Sequence, residues 1–104
     1  MISRADNIIT VQGSVTIDNV AEITQEGAAL LEDPHPQLVI DLSRLTEVDS
    51  SAVAMLLEWQ RTTKDYDKPV QYTGVPSSLE GLIDLYGLSD FIPRTDPLSK
   101  PDPT

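Results

Sequence analysis

The chain has 104 residues, of which 39% are apolar, enough for one modest core and too few for two domains. Its 7 Lys and Arg against 17 Asp and Glu leave a net charge of −10, which repels nucleic-acid phosphates and anionic lipid headgroups over most of the surface and makes DNA and RNA poor candidate partners. There is no cysteine, so a disulfide framework, a thiol nucleophile and a cysteine metal site are excluded.

No apolar run approaches the roughly 20 residues that a membrane-spanning helix needs, and the opening "MISRADN" lacks the apolar centre of a signal peptide. The expected location is therefore the cytoplasm, with any membrane role exercised through a partner.

In chain order, "NIITVQGSVTI" is rich in β-branched residues as far as Gly13 and predicts a strand with a turn or bulge at that glycine. "DNVAEITQEGAALLED" changes to a helical period. Val20, Ile23, Gly27, Leu30 and Leu31 share one face, and Asn19 with Glu22 has the spacing of a capping box. "PHP" at 34–36 ends this first helix. "QLVIDL" is a short, continuously apolar strand of the kind buried among parallel neighbours, with Asp41 near its carboxyl end and the loop "SRLTEVD" after it.

A second helix is predicted from about Ser50 to Asp65, and "KPVQYTG" gives a strand between Pro69 and Gly74. In "PSSLEGLIDLYGL", Leu79, Leu82, Ile83 and Tyr86 repeat at helical spacing, Ser77 and Glu80 form a candidate capping box, and Gly87 can close the helix in a left-handed turn. "DFIP" reads as a short edge strand, and "PRTDPLSKPDPT", with four prolines, as a disordered tail. Strand and helix alternate three times, which argues for an α/β domain around a mostly parallel sheet. Functional loops of such sheets gather where strands end and helices begin, and "EVDSS" at 47–51 is such a loop.

On the second helix, 100° per residue puts Val53, Leu56, Leu57 and Gln60 toward the sheet and Ser51, Ala54, Glu58, Arg61 and Thr62 outward. Met55 and Trp59 fall off the core stripe beside Ser51. They form either a contact patch or peripheral core covered by another loop. Asp49 or Ser50 suits the helix cap, because its side-chain oxygen can accept a bond from an unpaired N–H. A hydroxyl in that position is also a favourable place for a phosphate, although Asp49 opposes the added charge.

Enzymatic chemistry finds little support. The single histidine, His35, lies between two prolines, far from a serine–acid pair, and GxGxxG, GxxxxGK[ST] and HExxH are all absent. The acids are scattered rather than spaced as metal ligands. A non-catalytic binding module without cofactor or metal is the expectation.

"LVIDLSRLTEVDSSAVAMLLEWQR" resembles the signature of STAS domains, named for sulphate transporters and anti-sigma factor antagonists: a strand ending in Asp-Leu-Ser, an aspartate, a hydroxyl-bearing turn and an apolar helix. "GLIDLYGLSDFIPR" is similar to the closing helix of the STAS subunits of bacterial phospholipid-transport ABC transporters, and the likeness covers about residues 7–94. It implies one STAS-like domain over residues 1–94, with a mixed, mostly parallel sheet of four to five strands and three to four helices, that works by docking on a protein partner. The segment 95–104 is the tail.

In the lipid-transport branch, the position of Ser50 lies in the interface with the transporter's ATPase subunit. In the antagonist branch, it is phosphorylated by an anti-sigma factor kinase. The sequence departs from the family at Ala52, where glycine is frequent, and at Thr16, where antagonists tend to carry an acid. The second departure ranks the transporter subunit above the antagonist. The resemblance thus assigns the partner or regulatory surface to Asp49, Ser50 and Ser51, flanked by Thr16, Ala54, Met55, Glu58 and Trp59.

Overall fold

Alternating burial along the strands decides how the layers stack. A computed structural model describes residues 2–32, 38–65 and 70–93. Its elements are β1 (Ile2–Ala5), β2 (Ile8–Val15), α1 (Val20–Leu31), β3 (Leu38–Val48), α2 (Ser50–Asp65), β4 (Val70–Thr73), α3 (Ser77–Leu85) and a 3-10 turn at Ser89–Phe91. They form one four-stranded sheet in the order β1-β2-β3-β4, in which β1 runs antiparallel to β2 and the other pairs are parallel. The mixed, mostly parallel α/β architecture expected from the sequence is the one observed.

Ile9, Val11 and Val15 of β2, Leu38, Ile40, Leu42 and Leu45 of β3, and Val70 and Tyr72 of β4 are buried. The residues between them, such as Thr10, Val39, Asp41 and Gln71, retain exposure, so one face of the sheet carries the core. This corrects the expectation that "QLVIDL" is buried on both sides. Two parallel crossovers running in the same direction along the sheet put α1 and α2 on one face, by the right-handed rule.

β3 also runs further than expected. The segment read as a loop, Ser43 to Val48, continues the strand and pairs with β2 alone: Gln12 faces Arg44, Gly13 faces Leu45 and Val15 faces Val48. Register shifts between Thr10 and Gln12 and between Gly13 and Ser14 each insert one extra residue on β3, which is why its buried positions switch from even to odd between Leu42 and Leu45. Gly13, at φ 88°, sits at one of these bulges, and β2 passes through it instead of ending there. β1 is a further strand that the sequence reading left unassigned. Asp6, at φ 55°, turns the chain between β1 and β2 in a two-residue hairpin loop.

α2 is the centre of the helical layer and packs against both α1 and α3. Trp59 is wholly buried against α1, and its indole Nε1 donates to the Thr24 carbonyl at 3.0 Å. Gly27 of α1 makes room for the ring: a methyl there would stand 2.5 Å from Trp59 Cε2 and 2.7 Å from Nε1. The Tyr72 hydroxyl donates to the Leu56 carbonyl at 3.2 Å, and burial raises its pKa far above the ordinary 10.0.

α3 ends as expected. Gly87, at φ 68°, donates to the Asp84 carbonyl, and Leu88 N–H donates to Ile83, which together make a Schellman closure. Tyr86, by contrast, is half exposed at that end rather than in the core. Both expected capping boxes fail. Asn19 spends its side chain on the preceding loop, accepting from Thr16 N–H and donating to the Ser14 carbonyl, and the cap position of α3 is Pro76, with Ser77 already helical. "DFIP" is the 3-10 turn followed by Ile92, which is buried, and Pro93, whose carbonyl accepts from Tyr72 N–H at 3.0 Å. His35 and the segment 95–104 lie outside the described residues.

Candidate functional site

Parallel strands bring the end of β2 and the end of β3 to the same edge of the sheet, so the β2–α1 loop and the start of α2 become neighbours. Asp49 joins them. Its Oδ1 accepts from Ser51 N–H at 2.9 Å and from the Ser51 hydroxyl, and its Oδ2 accepts from Ile17 N–H at 3.0 Å. Of the two candidates for the α2 cap, the aspartate therefore takes the role. These donors hold its pKa below the ordinary 3.8, with the Ser51 hydroxyl the largest cause and Ile17 N–H the next.

The two adjacent serines thus divide. Ser51 is half-buried and turned back onto Asp49. Ser50 is exposed at the first helical position, and among the described residues its hydroxyl has no hydrogen-bond partner. Asp49 is a poor base for that hydroxyl, because both its oxygens already accept from other donors and its proton affinity is lowered. The arrangement offers a reachable hydroxyl with no activating base beside it.

From Ser50 the exposed stripe of α2 continues through Ala54 to Glu58, which pairs with Arg61 at 3.0 Å. Thr16 is half-buried, and its Oγ1 accepts from Asp18 N–H at 3.4 Å. Thr16, Asp49, Ser50 and Ser51 therefore cluster at one edge of the sheet, with Ala54 and Glu58 leading away from it.

Met55 and Trp59 do not belong to this surface. They are 1% and 0% exposed, so of the two alternatives the contact patch is overturned and the core reading holds, with neighbouring helices rather than a loop as the cover. A single stripe describes a helix packed only on a sheet. α2 is also flanked by α1 and α3, so its buried arc widens to include Ala52, Met55, Trp59 and Thr63. Ala52, where glycine is frequent in the family, is fully buried without disturbing the α2 backbone.

The structure adds an apolar residue that sequence reasoning missed. Ile17, 75% exposed, stands on the loop that Asp49 holds. Its signal was an isoleucine placed between Thr16 and Asp18, beyond the last core position of β2. Leu85, Tyr86 and Phe91, near the end of α3 and in the 3-10 turn, are further exposed apolar residues. Among the described residues, no group of three or more His, Cys, Asp or Glu is placed to hold a metal ion, and no helix is long and apolar enough to cross a membrane.

Residues 1–93 match the family model described as Mlab, STAS domain. The chain belongs to the STAS domain family. Comparison with curated protein sequences gives no significant match.

Among solved structures, the STAS chain is similar to one in the Acinetobacter MlaFEDB complex in an ATP-bound conformation, with TM-score 0.74 and 21% identity over 91% of this chain and 100% of that one. It is also similar to the phosphorylated form of the Bacillus cell fate determinant SpoIIAA, with TM-score 0.67 and 16% identity over 92% of this chain and 88% of the other. An anti-sigma factor antagonist-like protein of Thermotoga maritima superposes with TM-score 0.76 at 12% identity, covering 94% and 86%. At such identities these likenesses establish the shared fold.

Proposed function

We propose that this STAS domain is a non-catalytic docking subunit that binds the ATPase subunit of an Mla-type phospholipid ABC transporter and supports the assembly or activity of the complex. The match of residues 1–93 to the MlaB-type STAS model carries this reading, and the likeness to a chain of the MlaFEDB complex supports it. The proposed contact surface centres on Ser50 and runs along Ala54 and Glu58, with Asp49, Ser51 and Thr16 shaping its edge. Met55 and Trp59 support it from beneath as core.

Binding of purified wild-type, Ser50→Ala and Ser50→Asp chains to the purified ATPase subunit of an Mla-type transporter from the same organism tests this function. Ser50→Asp places an uncompensated charge beside Asp49 in a contact that must lose water, so it weakens binding more than Ser50→Ala while leaving the helix cap intact. Equal affinities for all three chains would refute the site.

The exposed, uncommitted Ser50 hydroxyl and the likeness to phosphorylated SpoIIAA favour a second reading, an anti-sigma factor antagonist switched by phosphorylation of Ser50. Thr16 in place of an acid counts against it. Incorporation of phosphate at Ser50 by an anti-sigma kinase from the same organism, with no affinity for an ATPase subunit, would decide for the antagonist.

A further inference from the structure

We propose that Ile17 is the apolar anchor of this partner surface and that Asp49 is the residue that positions it, by holding the β2–α1 loop against the start of α2. This deepens the docking reading above and rests on it. The occupant is the same ATPase subunit.

A bulky β-branched side chain that is 75% exposed contributes nothing to the core. The loop that carries it is nevertheless built to keep its shape. Thr16 N–H donates to Asn19 Oδ1 at 3.0 Å, Asn19 Nδ2 donates to the Ser14 carbonyl at 2.9 Å, and the Thr16 carbonyl accepts from Asn19 N–H at 3.1 Å and from Val20 N–H at 2.9 Å. These bonds stay within residues 14–20, between the end of β2 and the start of α1. The link to α2 is made from Ile17 itself, whose N–H donates to Asp49 Oδ2 across 32 positions of sequence, next to a backbone bond from Asp49 N–H to the Val15 carbonyl at 3.4 Å. The lowered pKa of Asp49 agrees with a carboxylate that serves both segments.

The consequence is a composite surface: an apolar side chain from one segment and the Ser50 hydroxyl from another, fixed in register by one carboxylate. An anchor held in place before binding loses little conformational entropy on docking, which is where a preformed surface gains affinity. Exposed Asp18 places negative charge beside the anchor, whereas both oxygens of Asp49 are engaged within the fold, so the matching partner face is apolar at its centre with basic groups at its rim.

The discriminating substitution is Asp49→Asn. Asparagine caps helices as well as aspartate does, but its amide puts an NH2 donor where one carboxylate oxygen stood, so it cannot present acceptors at both positions, Oδ1 toward Ser51 and Oδ2 toward Ile17. The experiment is a double-mutant cycle of Ile17→Ala and Asp49→Asn against the same purified ATPase subunit, with Ser50→Asp alongside, thermal midpoints for every variant and amide exchange at Ile17.

Ile17→Ala is expected to weaken binding about 30-fold, the loss typical of an anchor. Asp49→Asn should speed exchange at Ile17, weaken binding by a smaller factor and add less than about twofold in the Ile17→Ala background, because it acts through the anchor. Full binding by Ile17→Ala, or strictly multiplicative losses, would overturn the inference while a loss in Ser50→Asp left the docking site standing. Full binding by all three single variants would instead remove the docking site itself.

Discussion

The α1–α2 contact makes opposite predictions for two helical glycines. In an unobstructed helix, Gly→Ala gains about 1 kcal/mol of propensity. Gly81 on α3 is such a case, since a methyl there would meet nothing within 4 Å, so Gly81→Ala should stabilise the fold by up to about 1 kcal/mol. At Gly27 the same methyl would stand 2.5 Å from Trp59 Cε2 and 2.7 Å from Nε1.

The ring cannot retreat without losing its 3.0 Å bond to the Thr24 carbonyl and pressing into a fully packed neighbourhood. Overpacking costs about 1–3 kcal/mol and an orphaned buried donor about 1–3 kcal/mol, against the roughly 1 kcal/mol gained, so the net loss expected for Gly27→Ala lies between about 1 and 5 kcal/mol and centres near 3. In a domain of this size, that lowers the thermal midpoint by about 10–20 °C. Thermal and urea unfolding of both variants supply the test. A Gly27→Ala protein as stable as wild type would refute the packing account of Trp59.

Met55→Ala should cost about 2–5 kcal/mol in urea unfolding, the range for emptying a buried methionine site, whereas a surface methionine would cost almost nothing. Tyr72 has a pKa raised by burial, so its stabilising effect is complete below the ordinary value of 10.0 and is lost as pH rises beyond it. Alkaline unfolding should therefore be shallower in Tyr72→Phe. Asp49 has a lowered pKa, so its effect is complete above the ordinary value of 3.8 and is lost as pH falls through the lower folded value. Stability measured downward from pH 5 should fall less steeply in Asp49→Asn than in wild type.

The elements that could be read from sequence are those whose local signals agree with their surroundings. α3 combined helical period with Gly87 at its end, and α2 began at Ser50 as expected because a capping aspartate precedes an apolar run. β1 was missed because "ISRA" is a polar edge strand with few apolar residues to mark it, and the Asp6-Asn7 turn that follows lacks the glycine that usually announces a hairpin. The far half of β3 escaped because two bulges shift its alternation and it pairs on one side only.

The geometry of the candidate site was legible at Asp49, Ser50 and Ser51, where short-range capping chemistry governs. It was misread at Met55 and Trp59, where burial depends on a neighbouring helix rather than on the period of α2. Gly27, spaced to face a large side chain from another element, was the clue to that packing. Ile17 became visible only when the sheet brought residues 17 and 49 together.

The most direct test of the proposed docking surface is site-specific cross-linking in a mixture of the chain with the proposed partner, an Mla-type transporter complex. A photoreactive residue at Ala54 samples the exposed stripe beyond Ser50, and one at Leu85, which is 74% exposed at the carboxyl end of α3, samples a rival exposed apolar position. The account predicts a cross-link to the ATPase subunit from position 54, lost when Ser50→Asp is added, and none to that subunit from position 85. A cross-link to the ATPase subunit from position 85 with none from position 54 would contradict it.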